Sequence, residues 1–170
     1  DDLVARLQRQ LKAPQAAELP TRIEALQNEV RGLTKQLADL TSASVAGALE
    51  GLLASSETVS GVRIVARALQ NVTREALRDY ADQLREKHSP IAVVLGAEIE
   101  GKLALIAAVS KPLVKDRGLH AGNAVKAAAA AAGGGGGGRP DMAEAGAREV
   151  DKLEAAVAAG AAVLKAQLGT

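Results

Sequence analysis

Between positions 110 and 139 the chain places five cations, Lys111, Lys115, Arg117, Lys126 and Arg139, against one carboxylate, Asp116. The chain as a whole is nearly neutral, with 21 basic and 20 acidic residues, so this excess is local. Charges of one sign gathered around a glycine run suit a phosphate-contacting surface. The same run also suits an ordinary solvated face. The segment closes on six glycines, residues 133–138, followed by Arg139-Pro140-Asp141-Met142. A backbone without Cβ atoms can approach a ligand or another segment closely, and a bare glycine run also reads as a flexible linker. Pro140 holds Arg139 extended, and Asp141 is a natural N-cap, which predicts a helix after it. A linker has no need of Arg-Pro-Asp-Met in that order.

Other chemistry is thinly represented. Ser44, Ser55, Ser56, Ser60 and Ser110 stand outside any G-x-S-x-G context. The glycine run leads into Arg-Pro and not into Gly-Lys-Ser/Thr, so no Walker motif is present. Glu98 and Glu100 fall at a predicted hairpin end, where a solvated turn is the simpler reading. Two histidines and no cysteine leave too few ligands for a conventional zinc site and no thiol chemistry. His88 ends a predicted helix, where a partial positive charge suits the dipole. His120 begins one, as a cap or as an RNA contact. The expectation is a chain with no catalytic site, metal or cofactor.

The elements that must position the cations follow from periodicity. Leu3, Leu7 and Leu11 predict a short amphipathic helix over residues 1–12. Pro14 and Pro20 bracket a break, after which Thr21 and Glu24 form a capping-box pattern. Ile23, Leu26, Val30, Leu33, Leu37 and Leu40 then recur at steps of three and four, a heptad seam able to zip onto a partner chain or to pack back as a hairpin. Residues 41–44 read as a polar interruption, and Leu49, Leu52 and Leu53 as a resumption of helix. Residues 62–66 predict a first strand. Asn71 is placed to cap a helix carrying Val72, Ala76, Tyr80 and Leu84, closed by His88-Ser89-Pro90. Residues 91–97 are nearly all apolar, as in a strand buried on both faces. Glu100-Gly101 turns it into a second strand over 102–109. A helix over 120–132 ends at the glycines, and Val150, Leu153, Val157, Leu164 and Leu168 mark a last helix.

The expected fold class is α/β: a small mixed β-sheet packed with helices over residues 56–170, preceded by a helical or coiled-coil arm over residues 1–55. Tyr80 is the single aromatic, so the core must be aliphatic and stacking of bases on rings is nearly excluded. No apolar run approaches the ~20 residues of a membrane span, and no signal peptide is visible. The chain begins at Asp1 within a helical pattern, as a piece of a longer cytoplasmic protein would.

The stretch GGGGGGRPDMAEAG over residues 133–146 resembles the glycine-rich signature of the DHH-associated (C-Ala) domain near the C-terminus of alanyl-tRNA synthetases. Three further segments resemble that family: His120-Ala121-Gly122, the strand-like run from Gly101 to Ser110, and Val59-Ser60-Gly61-Val62. The likeness covers roughly residues 45–168. Glu144 stands where the family often has Gln, and Ala147 where it often has Gly. The resemblance implies an accessory module that binds the outer corner of alanine-specific tRNA, dimerises through its helical part and helps one tRNA serve both aminoacylation and editing in the rest of the synthetase. On that reading Lys111, Lys115, Arg117, His120, Lys126, Gly135, Gly136 and Arg139 are the RNA-binding candidates, and the seam from Ile23 to Leu40 is the dimerisation candidate. Two alternatives remain open at this point: the substrate-binding domain of a DHH-type phosphoesterase, and a purely structural dimerisation domain.

Overall fold

The computed structural model describes residues 2–169, without the side chains of Thr41 and Ser42. It has the expected α/β class, a six-stranded mixed sheet with helices on both faces, preceded by a helical arm. The chain divides into two compact units, Asp1–Gly47 and Ala48–Thr170.

In the first unit, α1 covers Asp2–Leu11, and a 3-10 turn at Ala16–Glu18 leads directly into α2, Leu19–Ala54. Two expectations fail here. Thr21 is not a cap, because the helix begins before it and Pro20 occupies the first turn, where its missing N–H has no partner to lose. The polar stretch 41–44 does not interrupt the helix, which runs through it. Ser and Thr are neutral to weakly unfavourable within a helix and do not break one. By length and composition alone, Ala16–Ala54 is long and apolar enough to cross a membrane, because one 18-residue window within it reaches a mean hydropathy of 1.2. Arg22, Glu24, Glu29, Arg31, Lys35 and Asp39 exclude its N-terminal half from that reading. The seam residues Ile23, Leu26, Val30, Leu33, Leu37 and Leu40 are all exposed, Leu40 most of all at 72%.

The second unit is built on a sheet of order β1-β2-β3-β4-β6-β5. Its strands are β1 Glu57–Val59, β2 Val62–Leu69, β3 Ile91–Ile99, β4 Lys102–Val109, β5 Gly135–Gly138 and β6 Met142–Ala147. Among the described residues, β2 and β3 alone pair in parallel, and α3 (Arg74–Lys87) is their crossover. Thr73, not Asn71, caps α3: its hydroxyl accepts a hydrogen bond from the Ala76 N–H at 3.1 Å, while Asn71 takes a left-handed φ of 55° in the turn before it. β3 and β4 form the expected hairpin, with Ile99 opposite Lys102 and positive φ at both Glu100 and Gly101, as a two-residue turn between twisted strands requires.

Helices α5 (Ala121–Ala131) and α6 (Leu153–Gln167) cover one face, and α3 covers the other over β3 and β4. The core is aliphatic: Val94, Leu105, Val125, Val157 and Leu164 pack with many alanines between sheet and helices. Small residues let the layers approach. Gly96 faces Leu153 and Val157, and Gly160 sits against Val94. Ser110, one of the serines without a catalytic context, is buried. It accepts the Ile91 N–H at 3.1 Å and can donate to the carbonyl of Ile91 or Arg85, which pins the end of β4 to the start of β3.

Candidate nucleic-acid interface

The glycine run is neither a linker nor a loop leading into a helix. Four of its glycines form β5, an edge strand of the sheet, and the residues after Arg139-Pro140 form β6, its antiparallel partner. The segment MAEAGA alternates: Ala143, Ala145 and Ala147 enter the core beneath α5, while Glu144 and Gly146 take the opposite face. β5 lies so close to this strand that a Cβ on Gly136 would stand 2.2 Å from the Ala145 Cβ. Helix α5 is equally close, since a Cβ on Gly122 would come within 2.5 Å of the Gly138 carbonyl oxygen. Both ends of β5 are tied down. The Gly134 N–H donates to the Ala129 carbonyl at 2.8 Å, and the Ala121 N–H donates to the Pro140 carbonyl at 2.8 Å. The result is an ordered strand of bare backbone, exposed along its whole length.

Asp141 therefore caps no helix. It stands at the start of β6, where the Arg85 guanidinium meets its carboxylate at 2.9 Å and Arg139 meets it at 3.1 Å. Arg85 is also paired with Asp82 at 2.7 Å. Partial burial opposes the Asp141 charge, but the hydrogen bond from Arg85 and the attraction of Arg139 outweigh it and hold the carboxyl below its ordinary value. The Arg85 guanidinium is likewise held more firmly protonated: desolvation works against it, and Asp141 and Asp82 overcome that cost. Arg139 remains 73% exposed, its guanidinium aligned by Asp141.

The sequence candidates are only partly brought together. Lys111 and Lys115, with Asp116 beside them on the short helix α4 (Lys111–Arg117), flank a shallow groove of about 480 Å³ whose other wall is Pro140 and Asp141, beside Arg139. Arg117 and Lys126 are exposed but line no groove with them. His120 resolves to a cap, with Nδ1 accepting the Asn123 N–H at 3.3 Å. Gly135 and Gly136 differ sharply. Gly136 is closed in by β6, whereas a Cβ on Gly135 would meet nothing within 4 Å.

Sequence reasoning missed a second group of cations. Arg74 begins α3, Lys102 begins β4 and Arg148 follows β6. The three surround a groove of about 410 Å³ floored by Gly133, Gly134, Gly135, Gly146 and Ala147. All three are exposed, and among the described residues none forms an ion pair. Nothing in their sequence spacing relates them.

A family profile described as the DHHA1 domain matches residues 61–166. The alanine–tRNA ligase of Acetivibrio thermocellus is 41% identical over 147 residues, 86% of this chain and 17% of that protein. That of Roseiflexus castenholzii is 43% identical over 153 residues, again 17% of its length. The chain thus spans about one sixth of the curated relatives it matches. Among solved structures, the C-Ala domain of Aquifex aeolicus alanyl-tRNA synthetase aligns with a TM-score of 0.58 at 27% identity, covering 65% of this chain and 98% of that one. A DHH-domain member of the s1p family of ribosomal proteins shares the fold at 17% identity and a TM-score of 0.52, over 79% of this chain and 33% of that one. The glycine strand, its alternating partner and strands β2 to β4 lie within the matched segment, and the chain belongs to the DHHA1 domain family.

Proposed function

We propose that this chain is an accessory tRNA-binding domain of an alanyl-tRNA synthetase, which holds the outer corner of the folded tRNA so that one tRNA can serve the aminoacylating and the editing site of the rest of the enzyme. The observation that carries the reading is the exposed all-glycine edge strand with Arg139, Lys111 and Lys115 at its exit. Backbone without side chains lets a phosphate–ribose surface come close, and the cations supply the attraction. The 41% identity to an alanine–tRNA ligase over 86% of the chain supports tRNA as the RNA concerned. The single aromatic, Tyr80, is buried, so no ring is offered for base stacking. Recognition of a folded corner relies instead on shape, phosphate and 2′-hydroxyl.

The arm is proposed to pair with a second copy of the chain. Ile23, Leu26, Val30, Leu33, Leu37 and Leu40 keep heptad spacing on one helix and are exposed, and a seam of that kind buries its apolar residues when two helices supercoil.

The test is binding of the purified chain to whole tRNA and to an acceptor-stem minihelix lacking the corner. Whole tRNA is expected to bind more tightly, with an affinity that falls steeply as salt rises. Equal affinity for the two RNAs overturns corner recognition. The chain by itself is expected neither to charge tRNA with alanine nor to hydrolyse mischarged tRNA.

A further inference from the structure

Resting on the tRNA-binding reading, we propose that the groove formed by Arg74, Lys102 and Arg148 is a second RNA-phosphate contact, and that the glycine strand is the floor of a continuous track running from it to Arg139. Register places the two cation groups at opposite ends of β5. Gly135 lies opposite Gly146, next to Arg148, while Gly138 lies opposite Ala143, next to Asp141 and Arg139. Four strand residues span about 10 Å between first and last, so the two groups contact different phosphates.

The face is also defined. Cross-strand partners share a side of the sheet, and Gly137 is paired with Glu144. The Glu144 carboxylate meets Arg78 of α3 at 3.5 Å, so Glu144 lies on the α3 side. By alternation Gly135, Gly137 and Arg139 lie there with it, as Lys102 does opposite the core-facing Leu103. Helix α3 covers β3 and β4, and on this side of β6 exposure rises from the buried Met142 through the half-buried Glu144 to the exposed Gly146, which leaves that end of β6 and all of β5 as open floor. The one carboxylate projecting from that floor, Glu144, is already neutralised by Arg78, so it does not repel a polyanion. At the groove's edge, Glu149 is held by Lys152. Arg74, Lys102 and Arg148 are left with their charge uncompensated over a floor where Gly135 offers no side chain. Uncompensated cations around bare backbone match the phosphodiester chain of a structured RNA. They do not match a base-reading site, since the polar side chain that the floor carries, Glu144, is already held by Arg78.

The test uses the whole chain, with Lys102→Ala and Arg148→Ala combined. Both side chains are exposed, so the thermal midpoint should not move. Affinity for whole tRNA is expected to fall at least tenfold, and the slope of log affinity against log salt to become shallower by about 1.4 to 1.8, for two phosphates at 0.7 to 0.9 each. Lys102→Arg, which keeps the charge, should retain binding. Inorganic tripolyphosphate is the competitor that separates RNA from free phosphate: weak competition at millimolar concentration supports an extended RNA contact, and displacement at micromolar concentration overturns it in favour of a small-anion site. An unchanged salt slope in the double variant also overturns the groove. If Lys111→Ala with Lys115→Ala still weakens tRNA binding in that case, the corner-binding reading survives. If the unmodified chain does not bind tRNA, that reading falls and takes this inference with it.

Discussion

Replacing Gly136 with alanine sets a Cβ 2.2 Å from the Ala145 Cβ and 2.8 Å from its Cα, whereas the same change at Gly135 meets nothing within 4 Å. These neighbouring glycines should therefore fail in different ways. At Gly136 the backbone of β5 or β6 must move, an overpacking effect of about 1–3 kcal/mol, which at about 2–4 °C per kcal/mol lowers the thermal midpoint by roughly 2–12 °C. At Gly135, φ is not in the left-handed region, so alanine removes unfolded-state freedom and stabilises by about 0.4–1 kcal/mol. Its methyl nevertheless projects into the groove where RNA is proposed to lie. Holding a phosphate at about 6 Å instead of 4 Å from one cation, at an effective dielectric of about 20, loses about 1.4 kcal/mol, or tenfold in affinity. Differential scanning fluorimetry and tRNA filter binding on the two single variants separate the effects. Gly135→Ala is expected to be as stable as the parent or more so, yet to bind about tenfold more weakly. An undiminished affinity for Gly135→Ala would refute close backbone approach, and an undiminished midpoint for Gly136→Ala would refute the packing argument.

Two further outcomes follow from the same structure. Asp141 is held below its ordinary pKa by Arg85 and Arg139, so its contribution to stability is fully present above the ordinary carboxylate range and is lost as pH falls through its lower folded value. Asp141→Asn should accordingly be less stable than the parent at pH 7, with the gap closing in acid; a gap independent of pH from 7 to 3 contradicts the ion-pair assignment. Val30→Asp with Leu33→Asp puts charge into the exposed seam, where burial of an unpaired carboxylate is costly. Sedimentation equilibrium should show the parent self-associating and the variant monomeric, and a parent that stays monomeric at high micromolar concentration removes the seam's proposed role.

Local pattern was enough to place most of the helices and the central hairpin. The steps of three and four along Ile23 to Leu40, the unbroken apolar run of β3 and the Glu100-Gly101 turn are short-range signals that tertiary packing had no cause to overrule. The glycine-rich motif was legible as a motif, and with it the family. Its conformation was not. Glycine has no preference of its own for a strand, and residues 135–138 become β5 only because Ala143, Ala145 and Ala147 offer methyl groups small enough for a bare backbone to lie against. The period-two alternation of MAEAGA was the available hint, obscured by Asp141, which suits an N-cap equally well. Arg74, Lys102 and Arg148 were out of reach for another reason. They stand at the starts of α3 and β4 and at the end of β6, and are neighbours only because β4 pairs with β6 and α3 lies across β4. Residue types and periodicity determine which segments can form; long-range strand pairing, which no local propensity encodes, decides which charges share a groove.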